Sequence, residues 1–370
     1  MGPREVTRRD VLQTGATLAS VAAVGSLSGC SDLMSDDSDE SNDDDDSDDS
    51  TSSVAADIPA RANLVMSLSV TALLDDQALR GAVNDALAEQ STEESMMPST
   101  VSGALDMIEE EGDVDPRNVN EVVLFGETDE DGESDYVGWL TYTDWSASEI
   151  TELIEEYSDD DTEIQTEEYN GTTVYVNDDT DDSTERVAIL GDGTVVLGRA
   201  GAAHDVIDVR AGDADPISGE TRSAWDAASG DYAKFAMDIE PEDLPSGQAE
   251  AAEPTVENIR YVSGSVYADG DVRGAEFKME AGSEQDASDI ETFFEGQLAL
   301  AEEEAEDPQA REFIESTEIS TAGTTVTVRN EVDVETITPI VSELVSSFLL
   351  GLTGRQPGFE SDGGGGMAFA

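Results

Sequence analysis

Negative charge constrains this chain more than any other feature of its sequence. Asp and Glu number 87 against 17 Lys and Arg, and the formal net charge at pH 7 is −70. In dilute buffer such a charge repels itself and opposes a compact state. At about 1 M salt the Debye length falls to about 3 Å, so distant carboxylates no longer sense one another. The composition therefore predicts a halophilic protein that folds in concentrated salt.

A disordered acidic chain is the alternative, because low hydrophobicity and high net charge are typical of disorder. Hydrophobic residues reach 38%, however, and they recur at strand and helix spacing along most of the sequence. We therefore expect the acidic residues to be spread over a patterned fold. No nucleic-acid partner is expected, since binding the phosphate backbone of DNA or RNA requires basic clusters and the sequence contains none.

The N-terminal segment has the layout of an export signal. Arg8 and Arg9 stand in a Thr-Arg-Arg-Asp-Val-Leu sequence, which resembles a twin-arginine signal. A weakly apolar run rich in Ala, Gly, Ser and Val follows, from Thr14 to Leu27. This run is too short to span a bilayer core, which requires about 20 apolar residues. Residues 1–29 are therefore predicted to be a removable signal peptide.

The apolar run ends in a sequence that looks like a lipobox, formed by Leu27, Ser28, Gly29 and Cys30. In lipoproteins of this kind the cysteine is lipidated and the preceding peptide is removed. Cys30 is the only cysteine of the chain, so no intrachain disulfide can form. The predicted partner is a lipid bilayer, bound through Cys30 at the extracellular face of the cell membrane.

These N-terminal features resemble the surface lipoproteins that haloarchaea export by the twin-arginine route, a group of uncharacterised function. The resemblance is specific over residues 4–30 and only architectural after that. It implies export in the folded state and a lipid anchor, and it implies no activity.

Composition divides the rest of the chain into four parts. Residues 30–54 are predicted to be the lipidated cysteine and an acidic disordered tether, because so polar a segment cannot bury apolar surface. Residues 55–230 and 231–352 are predicted to be two α+β modules that meet near residues 211–230. Residues 353–370 are predicted to be a disordered Gly-rich tail.

The predicted fold class is α+β, with hairpin strands in one or more largely antiparallel sheets and helices packed on one face. Both modules follow the order strand, hairpin, helix, hairpin and helix, and the last helix is expected over Pro339–Leu350. Residues 171–176 and 323–328 are similar in sequence, which indicates an internal duplication. The sequence leaves open whether the two modules share one sheet.

Candidate catalytic groups are scarce. The only histidine, His204, lies in a predicted helix, and the chain lacks a Gly-x-Ser-x-Gly nucleophile motif, so a structural or solvent-facing histidine is favoured. A zinc site of the usual nitrogen and sulfur ligands is not expected with one histidine and a lipidated cysteine. Carboxylates are too numerous for their pairing to indicate a glycosidase. The sequence predicts neither an enzyme nor a cofactor.

Calcium is the remaining cofactor candidate. Residues 127–135 begin like an EF-hand loop, with Asp129, Asp131 and Asp135 as oxygen ligands and glycine at the sixth position. The twelfth position is Gly138, where a bidentate glutamate is required, so a hairpin loop is the favoured interpretation.

Asn170 belongs to the only Asn-x-Ser/Thr sequon of the chain and is a candidate for N-glycosylation. The Asn-Gly dipeptide at this position also predicts a tight turn between strands. The two assignments are compatible, because turns are exposed.

The sequence thus favours a membrane-anchored extracellular module that is not catalytic and that binds a ligand or belongs to the cell envelope. A receptor for a solute or for Ca²⁺ is the alternative, although the parallel strands and helices expected of receptor lobes are not evident. An extracellular hydrolase is the second alternative.

Overall fold

The computed structural model describes most of the predicted modules. The described residues are 50–90, 98–112, 114–127, 136–156, 164–177, 185–191, 193–199, 201–238, 258–305, 308–334 and 336. The signal peptide, the lipobox, the final helix and the Gly-rich tail of the sequence analysis lie outside these residues.

Among the described residues, twelve strands form one large antiparallel sheet, which confirms the predicted α+β class. The strands are Leu64–Ser69 (β1), Val119–Gly126 (β2), Val137–Thr143 (β3), Ile164–Tyr169 (β4), Thr172–Asn177 (β5), Glu185–Gly191 (β6), Thr194–Gly198 (β7), Ala233–Asp238 (β8), Ile259–Asp269 (β9), Val272–Ala281 (β10), Thr317–Ala322 (β11) and Thr325–Asp333 (β12). Their order across the sheet is β11-β12-β10-β9-β8-β1-β2-β3-β7-β6-β5-β4.

Helices connect these strands. They are Ser50–Asp57 (α1), Val70–Asp75 (α2), Gln77–Gln90 (α3), Val101–Gly112 (α4), Ala147–Glu156 (α5), Ala202–Ala211 (α6), Gly219–Ala227 (α7), Glu284–Glu304 (α8) and Pro308–Glu315 (α9), with a 3₁₀ turn at Pro116–Asn118. Helix α1 begins inside the predicted tether, and α7 occupies the segment where the two modules were expected to meet.

The chain divides into two compact units, residues 1–72 with 118–332 and residues 73–117 with 333–370. The first unit contains the sheet. In the second unit, the side-chain oxygen of Asn84 accepts a hydrogen bond from the backbone N–H of Val101 at 2.8 Å, which joins α3 to the start of α4.

The two predicted modules share one sheet, because β1 and β8 pair with each other at its centre. Their antiparallel register places Val65 opposite Ala236 and Ser67 opposite Lys234. Strand β1 also pairs with β2, and β8 with β9, so hydrogen bonding continues without interruption from one module into the other. The alternative of separate domains is therefore wrong for the described strands.

One face of the sheet, here called the front face, carries Val65 and Ala236. Both residues are fully buried in a hydrophobic cluster. The cluster includes Val206 of α6 and Trp225 of α7, each with 0% of its surface exposed. The front face is therefore covered by α6 and α7.

The opposite face carries a second cluster. Ser263 of β9 lies opposite Ala236 and so belongs to the front face, whereas its neighbour Val262 points to the back. Val262 packs in one cluster with Met279 of β10 and Ile290 of α8. The prediction that the helices pack on one face is therefore wrong. The alternation of side chains along a strand assigns each residue to one of the two faces of the sheet. It does not say which helix covers each face.

Local signals in the sequence are confirmed where they concern turns and caps. Ser146 and Glu149 form the capping box of α5: the Ser146 backbone N–H donates to Glu149 Oε2 at 2.8 Å, and the Glu149 N–H donates to Ser146 Oγ at 3.4 Å. Asn170 and Gly171 form the two-residue turn between β4 and β5, with φ of 48° and 81°.

The two stretches of similar sequence occupy different places in the sheet. Residues 171–176 lead into β5, which lies between β4 and β6, whereas residues 323–328 lead into β12, which lies beside β10. Counted outwards from the central pair β1 and β8, β12 is the fourth strand on its side and β5 is the sixth on the other. The two stretches therefore do not hold equivalent positions in the sheet, and the internal duplication stays a prediction.

Gly198 allows the start of α6 to pack directly on β7. A Cβ atom at this position would lie 2.5 Å from the backbone nitrogen of Ala203 and 3.0 Å from the Cβ of Ala202. Both alanines are fully buried, so neither has room to move away.

We expect Gly198→Ala to lower the free energy of unfolding by about 1–3 kcal/mol through overpacking. Urea denaturation in molar salt is the measurement. Gly296→Ala on α8 is the matched control, because no atom lies within 4 Å of its would-be Cβ. Alanine there should stabilise the helix by about 0.5–1 kcal/mol. Equal effects of the two variants would contradict the packing assignment.

Candidate functional site

A cleft with a volume of about 650 Å³ opens beside α7. It is lined by α7, by the loop that follows this helix, and by residues of β8, β9, β10 and β12. Its charged lining residues are Arg222, Asp226, Asp231, Lys234, Glu276 and Arg329. Sites for small molecules have volumes of about 300–1,000 Å³, so the cleft is of a suitable size.

Lys234 lies on the front face at this cleft. Its pairing with Ser67 and Ser265 gives it the same orientation as the buried Ala236. Only 7% of the residue is exposed. Its ammonium nitrogen lies 4.0 Å from the centre of the Trp225 ring, a cation–π contact. Among the described residues, no carboxylate forms an ion pair with this ammonium, so its direct partner is an aromatic ring.

The charge of Lys234 is costly to keep at this position. Burial lowers the pKa of Lys234 from its usual 10.5, because removal from water disfavours the ammonium. The negative charges of Glu121 and Asp226 oppose this shift, and the positive charge of Arg222 adds to it. Burial also raises the pKa of Glu121, against a hydrogen bond from Ser67 and the charge of Lys234.

The arginines of the cleft, in contrast, are paired. Arg222 Nε lies 2.9 and 2.8 Å from the two carboxylate oxygens of Asp226, one turn further along α7. Arg329 Nε donates to the hydroxyl of Tyr267 at 2.7 Å, and this hydroxyl donates to Glu331 Oε1 at 2.9 Å. Burial and the bond to Glu331 raise the pKa of Tyr267 to about 12.

Lys278, the other lysine of the chain, is paired too. Its Nζ lies 2.6 Å from Glu276 Oε1 and donates to the carbonyl oxygen of Ala227 at 3.1 Å. Lys234 therefore differs from the cations around it, since its buried ammonium has no carboxylate within ion-pair distance among the described residues, although Glu121 and Asp226 act on it from further away. Chemically, such a group can donate hydrogen bonds to an anionic oxygen that enters the cleft.

Most of the site residues expected from the sequence lie outside the described residues. They are Arg8, Arg9, Leu27, Ser28, Gly29, Cys30, Asp129, Asp131 and Asp135. Within the described part of the chain, no group of three or more His, Cys, Asp or Glu side chains is arranged to hold a metal ion. No helix in that part is long and apolar enough to cross a membrane.

Asn170 and His204 are described, and both make specific contacts. Asn170 is exposed in its turn, and its Nδ2 donates to Asp213 at 2.8 Å and to Asp208 at 3.3 Å. N-glycosylation stays a prediction, and it would have to disturb these bonds. His204 stacks on the ring of Tyr169 at 3.9 Å, and its Nε2 lies 3.0 Å from Glu167. This arrangement is that of a structural histidine.

Sequence reasoning missed the cleft because the segment that contains α7 looked like a linker. Trp225 in this helix is fully buried, and it supplies the ring beneath the Lys234 ammonium. One signal was available: Lys234 is one of only two lysines and stands in a strand between Ala233 and Phe235. A lysine at a core-facing position of a strand is unusual, since lysines are almost never fully buried unless they are paired.

Comparisons with known proteins add little to this description. No protein-family model matches the sequence, and no curated protein matches it. Among solved structures, three crystal forms of TP0453 are similar in part. Form III has a TM-score of 0.40 at 8% identity, form I has 0.39 at 8%, and form IV has 0.41 at 10%. Each match covers 78% of this chain and 96% or 97% of that chain. Similarity this low carries no conclusion about the present chain.

We expect Lys234→Met to raise the free energy of unfolding by about 1 kcal/mol near neutral pH, because it removes a desolvated charge and keeps the side-chain volume. The attraction of Glu121 and Asp226 offsets only part of that desolvation. Because the folded-state pKa of Lys234 is lowered, the cost of the ammonium is present at neutral pH. This cost falls as the pH rises towards 10.5, so the gain from methionine should shrink.

Urea denaturation at several pH values, in constant molar salt, measures this effect. Lys278→Met is the control, since it removes a paired ammonium and should be neutral or destabilising. A clear loss of stability in Lys234→Met at neutral pH would contradict the expected balance.

Proposed function

We propose that this chain is a lipid-anchored extracellular lipoprotein whose folded part binds a ligand in the cleft beside α7. The binding is not coupled to catalysis. The observation that carries the binding function is the ammonium of Lys234, which is buried at a cleft of ligand size without a carboxylate partner. A charged residue that is desolvated in a cleft and whose pKa is shifted by burial is a candidate for a functional site, and Lys234 has both properties.

The location rests on the N-terminal sequence. The order of Arg8 and Arg9, a short apolar run and a lipobox-like end at Cys30 supports export and lipidation. The acidic segment from residue 31 to residue 49 would reach about 65 Å when fully extended, which is enough to hold the folded part clear of the membrane surface. The net charge of −70 supports a saline environment, where such repulsion is screened.

We also propose that the sheet arose by internal duplication. From the centre outwards, one half runs β1-β2-β3-β7-β6 and the other runs β8-β9-β10-β12-β11, so the connections have the same order. In both halves a helix follows the third strand along the chain: α5 follows β3, and α8 follows β10. The two central strands pair antiparallel, as equivalent elements related by a twofold axis would. Strands β4 and β5 are then an additional hairpin of the first half.

The lipid anchor predicts that Cys30→Ala releases the protein from membranes into the medium. Fractionation of native cells grown in high salt, followed by mass spectrometry of the N-terminal peptide, is the measurement. Replacing Arg8 and Arg9 together by lysine is the matched variant, because it should block export and leave an unprocessed precursor inside the cell. An intact leader and an unmodified Cys30 thiol in native cells would rule out the anchor.

Ligand binding predicts that at least one small solute raises the melting temperature in proportion to the logarithm of its concentration. The test is a thermal-shift panel of sugars, amino acids, organic acids, phosphate and Ca²⁺ at constant salt, on the full chain with Cys30→Ala. A stabilisation by Ca²⁺ alone would favour the calcium-receptor alternative. A flat response to the whole panel would count against a binding module for small molecules.

A further inference from the structure

The geometry points to an oxyanion, a carboxylate or phosphate group of a small molecule, as the part of the ligand that binds to Lys234 Nζ in the cleft. This inference rests on the proposed binding function and names the class of ligand.

Among the described residues, Lys234 lacks a carboxylate in direct contact. The chain contains 87 acidic residues, so a carboxylate partner for a lysine is easily supplied. The neighbouring Arg222 has one in Asp226, and Lys278 has one in Glu276. The direct contact of the Lys234 ammonium among the described residues is the Trp225 ring, and Glu121 and Asp226 act on its charge from beyond ion-pair distance. A buried ammonium without a carboxylate in direct contact, in so acidic a chain, is suited to an acidic group that comes from outside.

The Lys234 ammonium lies in a sheltered environment. Lys234 is 7% exposed and lines the cleft, so its charge is mostly removed from water. A charge-assisted hydrogen bond is stronger in such a setting than at an exposed lysine. Trp225 is fully buried, and its ring therefore holds the ammonium in a defined position. This lysine is preorganised, whereas a surface lysine would first have to be ordered.

The charges of the cleft also limit the number of negative groups that the ligand carries. The cleft also contains Asp231, whose carboxylate accepts the backbone N–H of Ala268 at 3.1 Å and has no cation within ion-pair distance among the described residues. Its charge disfavours a second anionic group on the ligand. We therefore expect a ligand with one oxyanion, and with hydroxyl or amino donors for the carboxylates of the cleft, rather than a polyanion.

The experiment uses the two lysines of the chain as an internal pair. The full chain with Cys30→Ala is treated with formaldehyde and borohydride, and methylation of Lys234 and Lys278 is followed by peptide mass spectrometry. The reaction is run with lactate, with inorganic phosphate, with a neutral sugar, or with no addition, at constant chloride. An oxyanion should slow methylation of Lys234 several-fold and leave Lys278 unchanged. The lactate and phosphate arms distinguish a carboxylate from a phosphate ligand.

Variants supply the second readout. From thermal-shift titrations, Lys234→Met should weaken binding of the protecting anion about tenfold or more, because a charge-assisted hydrogen bond is lost. Lys278→Met should weaken binding clearly less than Lys234→Met does, because Lys278 does not line the cleft and acts on it only through Glu276. The labelling arm requires no variant, so the inference stays testable if Lys234→Met fails to fold.

Two outcomes would overturn the inference. In the first, neither anion protects Lys234 while a neutral solute still raises the melting temperature; the binding function would then stand and the oxyanion would be wrong. In the second, both lysine variants lose affinity equally, which would indicate a general charge effect. Failure of every probe to bind would instead remove the proposed function itself.

Discussion

The register of β8 in the centre of the sheet determines most of what this protein presents to its surroundings. Val65 lies opposite Ala236 and Ser67 lies opposite Lys234, so the central strands bury two small apolar side chains and one ammonium on the front face. A slip of one residue would turn every side chain of β8 to the other face, which would remove Ala236 from the front-face cluster and Lys234 from Trp225. The same pairing joins the two halves of the sheet, so the fold and the cleft depend on one set of backbone hydrogen bonds.

Among the described residues, the basic side chains that line the cleft pair with carboxylates, with a single exception. With 17 basic residues against 87 acidic ones, each cation has many carboxylates to choose from, and Arg222 and Lys278 are paired accordingly. Lys234 is the exception, and we expect its buried charge to cost stability that a methionine at this position would not. A desolvated charge at a cleft of about 650 Å³ is a candidate binding group, and the ligand that we propose places an oxyanion against it.

Location and binding fit together in the proposed function. A lipid at Cys30 and an acidic tether would hold the cleft outside the membrane, where solutes are met directly. Concentrated salt screens the repulsion among the surface carboxylates, yet it acts less on a partly buried ammonium. An ion pair between a ligand and the sheltered Lys234 ammonium would therefore keep more of its strength in concentrated salt than an ion pair on the surface.

The sequence by itself determined the features that depend on near neighbours in the chain. These are the capping box of Ser146 and Glu149, the turn at Asn170 and Gly171, the main hairpins, and hence the α+β class. The tertiary structure decided the features that depend on distant pairing: which helix covers which face, the pairing of β1 with β8 that makes one sheet, and the cleft. Lys234 shows the difference, because the sequence already places it two residues before Ala236, on the same face of the strand. Its lack of a counter-ion is not visible there, since that depends on α7 and on strands far away in the chain.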